Sequence, residues 1–288
     1  MCPALRPRFT PKPHLIDLHC HLLPGIDDGA KDLDETLRMA QLAVADGILT
    51  TCCTPHIYPG LYENAGPDIQ RRVNSLQLIL ADRQIPLTLS YGADAHLVPD
   101  FIAGLASKRI PTLAGSRYML LEPPHHVRPP RFVESVFEVI AAGYVPVITH
   151  PERLTWAKQH FDDFLAIARS GGWLQVTGAA LTGSFGRGVA TLARQFVAEG
   201  WCDVLASDGH SATQRRPVLA EAYAMAQRLL GAEEARRLVI DRPQAVLANR
   251  PPDAVPRPPA HTMMTIAQQG KIQGYIRQLT VGARRFLR

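Results

Sequence analysis

The chain has 288 residues, 46% hydrophobic and 20% charged, which suits a soluble globular protein able to bury one large α/β core without staples. A net charge of +5 favours anionic partners in general, but without basic runs interleaved with aromatics it gives no support to nucleic-acid binding. The cysteines (Cys2, Cys20, Cys52, Cys53, Cys202) lack paired-ligand spacing, no stretch approaches the ~20 apolar residues of a membrane span, and residues 1–13 hold no apolar signal core, so reduced thiols in a cytoplasmic protein are expected.

From residue 14 to about 250, short β-rich runs alternate with helical patterns. Residues 15–21, 49–55, 85–93, 118–122, 145–150, 173–177 and 203–207 read as strands. Leu33, Leu37, Ala40 and Val44 mark one face of a helix over 33–46, with Asp32 and Glu35 as a capping pair and Gly47 as the stop. Further helices are expected over 68–83, 132–142, 161–170, 189–199 and 217–230. Steady alternation of strand and helix implies a parallel sheet. Residues 251–260 hold five prolines and read as a stiff linker. Beyond it, Ile272, Tyr275, Ile276, Leu279 and Phe286 share a helical face beside Lys271, Arg277, Arg284, Arg285 and Arg288. This basic amphipathic tail could dock on its own domain, join copies in a homo-oligomer, or make peripheral contact with an acidic surface or membrane; a solvated or self-docking helix is the plainer reading. The chain thus divides into an extension (1–13), an α/β domain (14–250) and a linker with tail (251–288).

The polar residues fall in one place in that pattern. His19, His21, His56, Asp94, Glu122, His150 and Asp208 stand at or just beyond the C-terminal ends of separate strand runs. In a parallel α/β barrel those ends share one rim, whereas an open doubly wound sheet gathers only groups near its switch point. A seven-stranded barrel is therefore expected.

His19-Cys20-His21 puts two imidazoles on one side of a strand with Cys20 facing away. Alone, H-x-H is as readily coincidence as a metal site. Here it runs on through Asp27-Asp28-Gly29, where Asp28 supplies a hard oxygen ligand or a proton acceptor and Asp27 reads as a turn residue bonding its own backbone. Taken singly, His56 reads as a structural histidine, and Asp94 and Glu122 are ambiguous. Yet Glu122 ends the apolar run Met119-Leu120-Leu121, where an unpaired carboxylate costs several kcal/mol. His150 opens His150-Pro151-Glu152-Arg153, and Asp208-Gly209-His210 is a second pair able to face one way. Together His19, His21, His56, His150, His210, Asp28, Asp94, Glu122 and Asp208 exceed the needs of one ion. Two or three divalent ions are expected, of the manganese, zinc or iron kind that imidazole and carboxylate suit.

Three such ions with four carboxylates leave a charge of about +2 before any bound hydroxide. Arg153 and Arg215 could add guanidinium donors that match phosphate oxygens, although each read alone is better taken as a surface salt bridge. A positive centre fringed with arginine suits a phosphate dianion better than a neutral amide.

The segments HCHLLPGIDDG, TPH, LLE, VITHPER and ASDGH, in that order, resemble the polymerase-and-histidinol-phosphatase (PHP) superfamily. Within it the match is to CpsB-like tyrosine-protein phosphatases of bacterial capsular and exopolysaccharide synthesis, over residues 15–243. The resemblance implies a distorted seven-stranded α/β barrel of the PHP type, here with a C-terminal extension. It also implies three metal sites, commonly manganese-activated, held by the nine residues above, with Arg153 and Arg215 contacting phosphate. The implied substrate is the phosphotyrosine tail of a bacterial tyrosine autokinase. Three departures stand out: Asp94 replaces a usual glutamate, Gly178 replaces a common asparagine, and the chain after residue 251 is longer than the core requires. The turn from Gly183 to Gly188 reads as a helix-start loop rather than a phosphate cradle.

The expected reaction is in-line attack on phosphorus by a metal-bound hydroxide, with Arg153 and Arg215 stabilising the phosphoryl oxygens and Asp208 or His210 assisting proton transfer. Cys20, Cys52, Cys53 and Cys202 have no arginine six residues on, which disfavours a phosphocysteine route. A small-molecule phosphatase such as a histidinol phosphatase is the first alternative. An amidohydrolase is a second, weakened by the lack of a strand-end lysine. A metal-binding scaffold for a phosphorylated kinase tail, with Asp94 as its lesion, is a third.

Overall fold

A computed structural model describes residues 14–262. The strand-and-helix alternation begins with β1 (Leu15–Cys20), α1 (Leu33–Asp46), β2 (Ile48–Cys53), β3 (His56–Ile57), α2 (Gly66–Asp82), β4 (Thr88–Tyr91), β5 (Asp94–His96) and α3 (Phe101–Ala106). It continues with β6 (Tyr118–Glu122), α4 (Phe132–Ala141), β7 (Val145–Thr149), α5 (Phe161–Ser170), β8 (Trp173–Thr177), α6 (Gly178–Thr182), α7 (Arg187–Ala198) and β9 (Val204–Ala206). Helices α8 (Ala220–Leu230), α9 (Ala232–Arg236) and α10 (Arg242–Leu247) follow.

The expected parallel pairing is present throughout, but the described strands form two sheets rather than one closed sheet. Their orders are β1-β2-β4 and β3-β5-β6-β7-β8-β9. The physical reason lies in two interruptions. The run over 49–55 breaks at Thr54-Pro55, because Pro55 has no N–H to give the ladder. The run over 85–93 breaks at Gly92-Ala93, where a side chain on Gly92 would come within 2.7 Å of Leu113. Hydrogen bonds still cross the breaks, from Gly92 N to Cys53 O (3.0 Å) and from Asp94 N to Pro55 O (3.2 Å). At the other seam, Asp208 N donates to His19 O (2.9 Å) and His21 N to Gly209 O (2.8 Å). Asp17, buried on β1, strengthens that seam by accepting from Ser207 N at 2.9 Å and from the Ser207 hydroxyl.

Every residue of β6, β7 and β8 is buried, as expected of parallel strands covered on both faces. One apolar cluster, with Leu18, Tyr118, Leu120, Val147, Trp173, Val204 and Val246, fills the side enclosed by the strands. A larger one packs strands against helices, with Leu121, Ile148, Val176 and Leu205 meeting Phe132, Phe164 and Phe196. Because side chains alternate, Tyr118, Leu120 and Glu122 share the enclosed face, as do Trp173 and Gln175. The apolar residues floor the interior and the polar ones cap it.

Helix α1 has the expected bounds, with the Asp32 side chain accepting from Glu35 N at 2.8 Å and Gly47 closing it in the left-handed region. The reciprocal half of the capping pair is absent: Glu35 instead binds Arg38 and accepts from Ala212 N at 2.7 Å. Gly178 opens α6, where a Cβ would stand 3.1 Å from Ala222 Cβ, so close packing against α8 accounts for the glycine. The turn from Gly183 to Gly188 ends α6 and starts α7, as a helix-start loop. Residues 251–262 remain against the domain: Ala260 N reaches Gly200 O at 3.2 Å and Pro256 O accepts from Arg242 Nε at 2.8 Å. The amphipathic pattern from Lys271 to Arg288 and the extension over 1–13 lie outside the described residues.

Candidate metal centre

All nine residues expected as ligands converge on one end of the strands. The Nε2 atoms of His19 and His21 face each other at 3.1 Å. Neither Nδ1 is free: His19 Nδ1–H donates to Gln175 Oε1 (2.9 Å) and His21 Nδ1–H to Asp27 Oδ2 (2.7 Å). Two Nε2 lone pairs directed at one another require a cation or a proton between them. Asp94 Oδ2 lies 3.4 Å from His19 Nε2, and Asp208 Oδ1 lies 3.4 and 3.6 Å from the two Nε2 atoms. Ligands about 2.1 Å from a shared ion stand about 3.0–3.4 Å apart, so this spacing fits a metal.

A second group joins His21 to Asp28, His56 and His210, with Asp28 Oδ1 3.4 Å from both His56 Nε2 and His210 Nε2. A third joins Glu122 to His150 and His125, and Asp94 and Glu122 meet His56 between them. His150 Nε2 is 3.7 Å from Asp94 Oδ2 and 3.8 Å from Glu122 Oε1. Asp94 is fully buried, yet neither of its oxygens has a hydrogen-bond partner, and His210 Nε2 and His56 Nδ1 are likewise unpartnered. A carboxylate so placed is costly unless a cation meets it. The nitrogen and oxygen donors, without sulfur, suit manganese, zinc or iron.

The local charges agree. Burial opposes ionisation of Asp208, but Arg215, His19, His210 and Arg153 hold its carboxyl well below the usual range. Glu122 is likewise held down against burial by His125 and His56. Burial also opposes charge on His19 and His56, but Asp94 with Asp208, and Glu122 with Asp94, raise them to about 9 and about 10. His21 goes the other way, pushed well down by burial and the neighbouring imidazoles. The cluster is an anionic cage that seeks positive charge.

Two strand-end residues, His150 (φ 34°) and Asp208 (φ 51°), adopt the left-handed region without being glycine. Such strain persists where surrounding structure enforces it, typically at functional sites. Both arginines converge here rather than forming surface pairs: Arg153 and Arg215 (2.5 Å) each donate to Asp208 Oδ2. The Arg153 guanidinium also lies 4.8 Å over Phe185, from the loop between α6 and α7. Asp208 thus turns one oxygen to the histidines and the other to the arginines.

Asp27 does accept from Gly29 N at 3.0 Å, as a turn residue would, but its other oxygen holds His21 and accepts from His56 N at 3.0 Å. The turn reading is therefore corrected to a dual role. Gln175 gave no strand-end signal as a neutral residue within β8. His96 and His125 escaped for a different reason: His96 ends β5, beyond the run expected over 85–93, and His125 lies on the loop after β6, yet His96 Nδ1 and His125 Nε2 stand 3.7 and 3.3 Å from Glu122. Cys20, Cys52, Cys53 and Cys202 are buried, and burial pushes their thiols up, Cys52 to about 12, which suits none to nucleophilic work. Cys2 does precede Arg8 by six residues, the spacing of a phosphate-binding loop; that pair lies outside the described residues.

The ligand groups floor a cleft of about 490 Å³ whose rim carries Tyr58, Leu61, Tyr62 and Val127 beside Arg153 and Arg215. Residues 15–248 match the capsular polysaccharide synthesis family CpsB/CapC. The chain belongs to this family. It is 32% identical to tyrosine-protein phosphatase YwqE of Bacillus subtilis over 221 residues, covering 76% of this chain and 86% of that protein. It is 26% identical to tyrosine-protein phosphatase CpsB of Streptococcus pneumoniae over 241 residues, covering 82% and 99%. A solved structure from work on YwqE and CpsB, described as metal-dependent tyrosine phosphatases, superposes with a TM-score of 0.79 at 29% identity, covering 82% of this chain and 96% of its own. A zinc-containing histidinol phosphate phosphatase of Lactococcus lactis, at 12% identity and a TM-score of 0.51 over 77% and 94%, shares the fold. No helix among the described residues is long and apolar enough to cross a membrane.

Proposed function

We propose that this CpsB/CapC-family chain is a metal-dependent protein-tyrosine phosphatase, acting in the cytoplasm on the phosphotyrosine tail of a bacterial tyrosine kinase that controls polysaccharide synthesis. The observation that carries the reading is the meeting of an anionic nine-residue ligand cage with two inward arginines at the floor of an apolar-rimmed cleft. We read the two sheets as one distorted seven-stranded barrel, interrupted at Pro55 and Gly92, in a domain over 14–250 followed by the linker and tail over 251–288. The grouping of donors supports two or three ions, manganese first, with zinc or iron as alternatives.

Bound ions of this kind acidify water and polarise phosphoryl oxygens. The protein's own part is placement. His19, His21, Asp94 and Asp208 form one corner, His56, Asp28 and His210 a second, and Glu122 with His150 a third. Arg153 and Arg215 stay on Asp208 Oδ2 and offer their remaining N–H groups, the unpartnered Arg215 Nε among them, to the entering phosphate, whose oxygens guanidinium N–H groups match more closely than lysine would. Against burial, both guanidiniums beside Asp208, with His19 and His210, hold its carboxyl well below the usual range, which supports a positioning role for it ahead of proton transfer. His210 is fixed by Nδ1–H donating to Asp208 O (2.9 Å), which directs Nε2 to the cleft for ligation or proton transfer.

The rim favours an aryl phosphate on a peptide over a small polar ester. Leu61 is 62% exposed and Val127 67%, and Tyr58 stacks on His96 with ring centres 4.0 Å apart. Such surfaces bury a phenyl ring well. The test is turnover by manganese-loaded protein of a phosphotyrosine peptide beside histidinol phosphate and a phosphoserine peptide. A higher kcat/KM for the phosphotyrosine peptide is expected; turnover of histidinol phosphate alone would replace this reading with a small-molecule phosphatase.

A further inference from the structure

We propose that His125 is an additional metal ligand, completing the shell of the ion that Asp94, Glu122 and His150 hold. This rests on the metal-dependent reading above and adds to it a residue outside the strand-end motifs. His125 Nε2 lies 3.3 Å from Glu122 Oε1, and its ring centre lies 5.1 Å from that of His150. Glu122, His125 and His150 offer ligand atoms within 4.8 Å of one another. The 3.3 Å edge is within what donors about 2.1 Å from a common ion show, and the 3.8 Å edge from Glu122 Oε1 to His150 Nε2 stands a few tenths of an ångström beyond it.

The loop that carries His125 is built to hold it. Thr155 donates to His125 O through both its N–H (3.0 Å) and its hydroxyl (3.1 Å), and Trp156 Nε1 donates to Pro124 O at 2.9 Å. Those two residues lie five and six positions after His150 and just past Arg153, so the loop is pinned to the segment that supplies the neighbouring imidazole. Pro123 and Pro124 precede His125 and restrict the backbone further.

The need for such a ligand follows from Asp94. Its Oδ2 stands 3.4 Å from His19 Nε2 and 3.7 Å from both His56 Nδ1 and His150 Nε2, so one short carboxylate serves more than one corner. An aspartate reaches one methylene less far than a glutamate, and the His125 imidazole, which reaches this corner at Glu122, adds a donor where the shorter arm supplies less. The same contact could instead be a hydrogen bond that only steers Glu122, and the test separates the two.

Full-length protein is loaded with Co2+, and the ion stoichiometry, affinities and visible d–d spectrum are compared for wild type, His125→Ala and His125→Gln. His126→Ala is the control on the same loop, and thermal unfolding of the metal-free proteins checks that each variant folds. Glutamine keeps a side-chain N–H for Glu122 but is a poor ligand. The proposal expects His125→Ala and His125→Gln alike to weaken one ion at least about tenfold and to change its spectrum, leaving the other ions as in wild type. An unchanged spectrum in the alanine variant, or wild-type affinity in the glutamine variant, overturns it in favour of a steering role. Failure of the wild-type protein to take up Co2+ or Mn2+ would instead sink the metal-dependent reading, and this inference with it.

Discussion

Gln175 Oε1 accepts the Nδ1–H of His19 at 2.9 Å, both residues fully buried, and so fixes which nitrogen of His19 faces Asp94, Asp208 and His21. A neutral amide does here what a carboxylate, Asp27, does for His21 and a backbone carbonyl, Asp208 O, does for His210. In all three imidazoles Nδ1 is spent on an orienting bond and Nε2 is left for the centre. Replacing Gln175 by Leu keeps much of the volume but removes the acceptor. Metal affinity is expected to fall about 10–100-fold, with little change in the fold, as isothermal titration against circular dichroism would show. Equal affinity in the variant would mean that the orienting bond is dispensable.

The arginine pair yields a second expectation. Arg153 and Arg215 share one oxygen of Asp208, so either one alone leaves that carboxylate paired. Arg215→Lys keeps the charge but loses the forked donor, and kcat on a phosphotyrosine peptide should drop by about 10²-fold with metal content intact. If KM alone rises, the arginine only binds ground-state substrate.

Much of this centre was legible in the sequence because strand ends concentrate function, and polar residues there stand out against apolar runs such as Met119-Leu120-Leu121. The helix of Leu33–Asp46 was legible for a different reason: its cap, spacing and stop agree. What could not be read was set by contacts distant in sequence. Gln175 matters through a residue 156 positions away. The sheet break at Pro55 and Gly92 depends on which ladder each strand joins. Asp27 carried its turn signal honestly, and only the folded loop shows its second oxygen against His21.

Protons and metal ions compete for the same cage. Without a cation, burial disfavours charge on His19 and His56, but their carboxylate neighbours raise them to about 9 and about 10. An ion must displace those protons, so affinity should rise with pH through the neutral range and protons should be released on binding. Titration calorimetry of Mn2+ in buffers of different ionisation enthalpy measures the release; affinity independent of pH would contradict the description.

A titrating group also sits away from the centre. Burial pushes Asp203 up to about 7, with Arg242 opposing, while its carboxylate accepts from Leu174 N at 2.8 Å. The folded protein therefore holds a proton that the unfolded chain releases near pH 4 (about the ordinary aspartate value). Its stabilising contribution is present below that pH and is lost as pH rises to about 7. Asp203→Asn does not titrate, so its stability relative to wild type should climb between about pH 4 and 7, by on the order of a few kcal/mol, and then level off. Urea unfolding of both metal-free proteins at pH 5, 6.5 and 8 tests this, and a constant difference would show that Asp203 is ionised throughout.

The most direct test of the central claim is to strip the protein of metal with a chelator, restore Mn2+, and follow phosphotyrosine-peptide hydrolysis beside metal content, with the His19→Ala/His21→Ala double variant in parallel. Turnover that disappears on stripping, returns with Mn2+, and stays absent in a folded double variant depleted of metal is the predicted result. Undiminished hydrolysis by stripped protein or by the double variant would contradict the account.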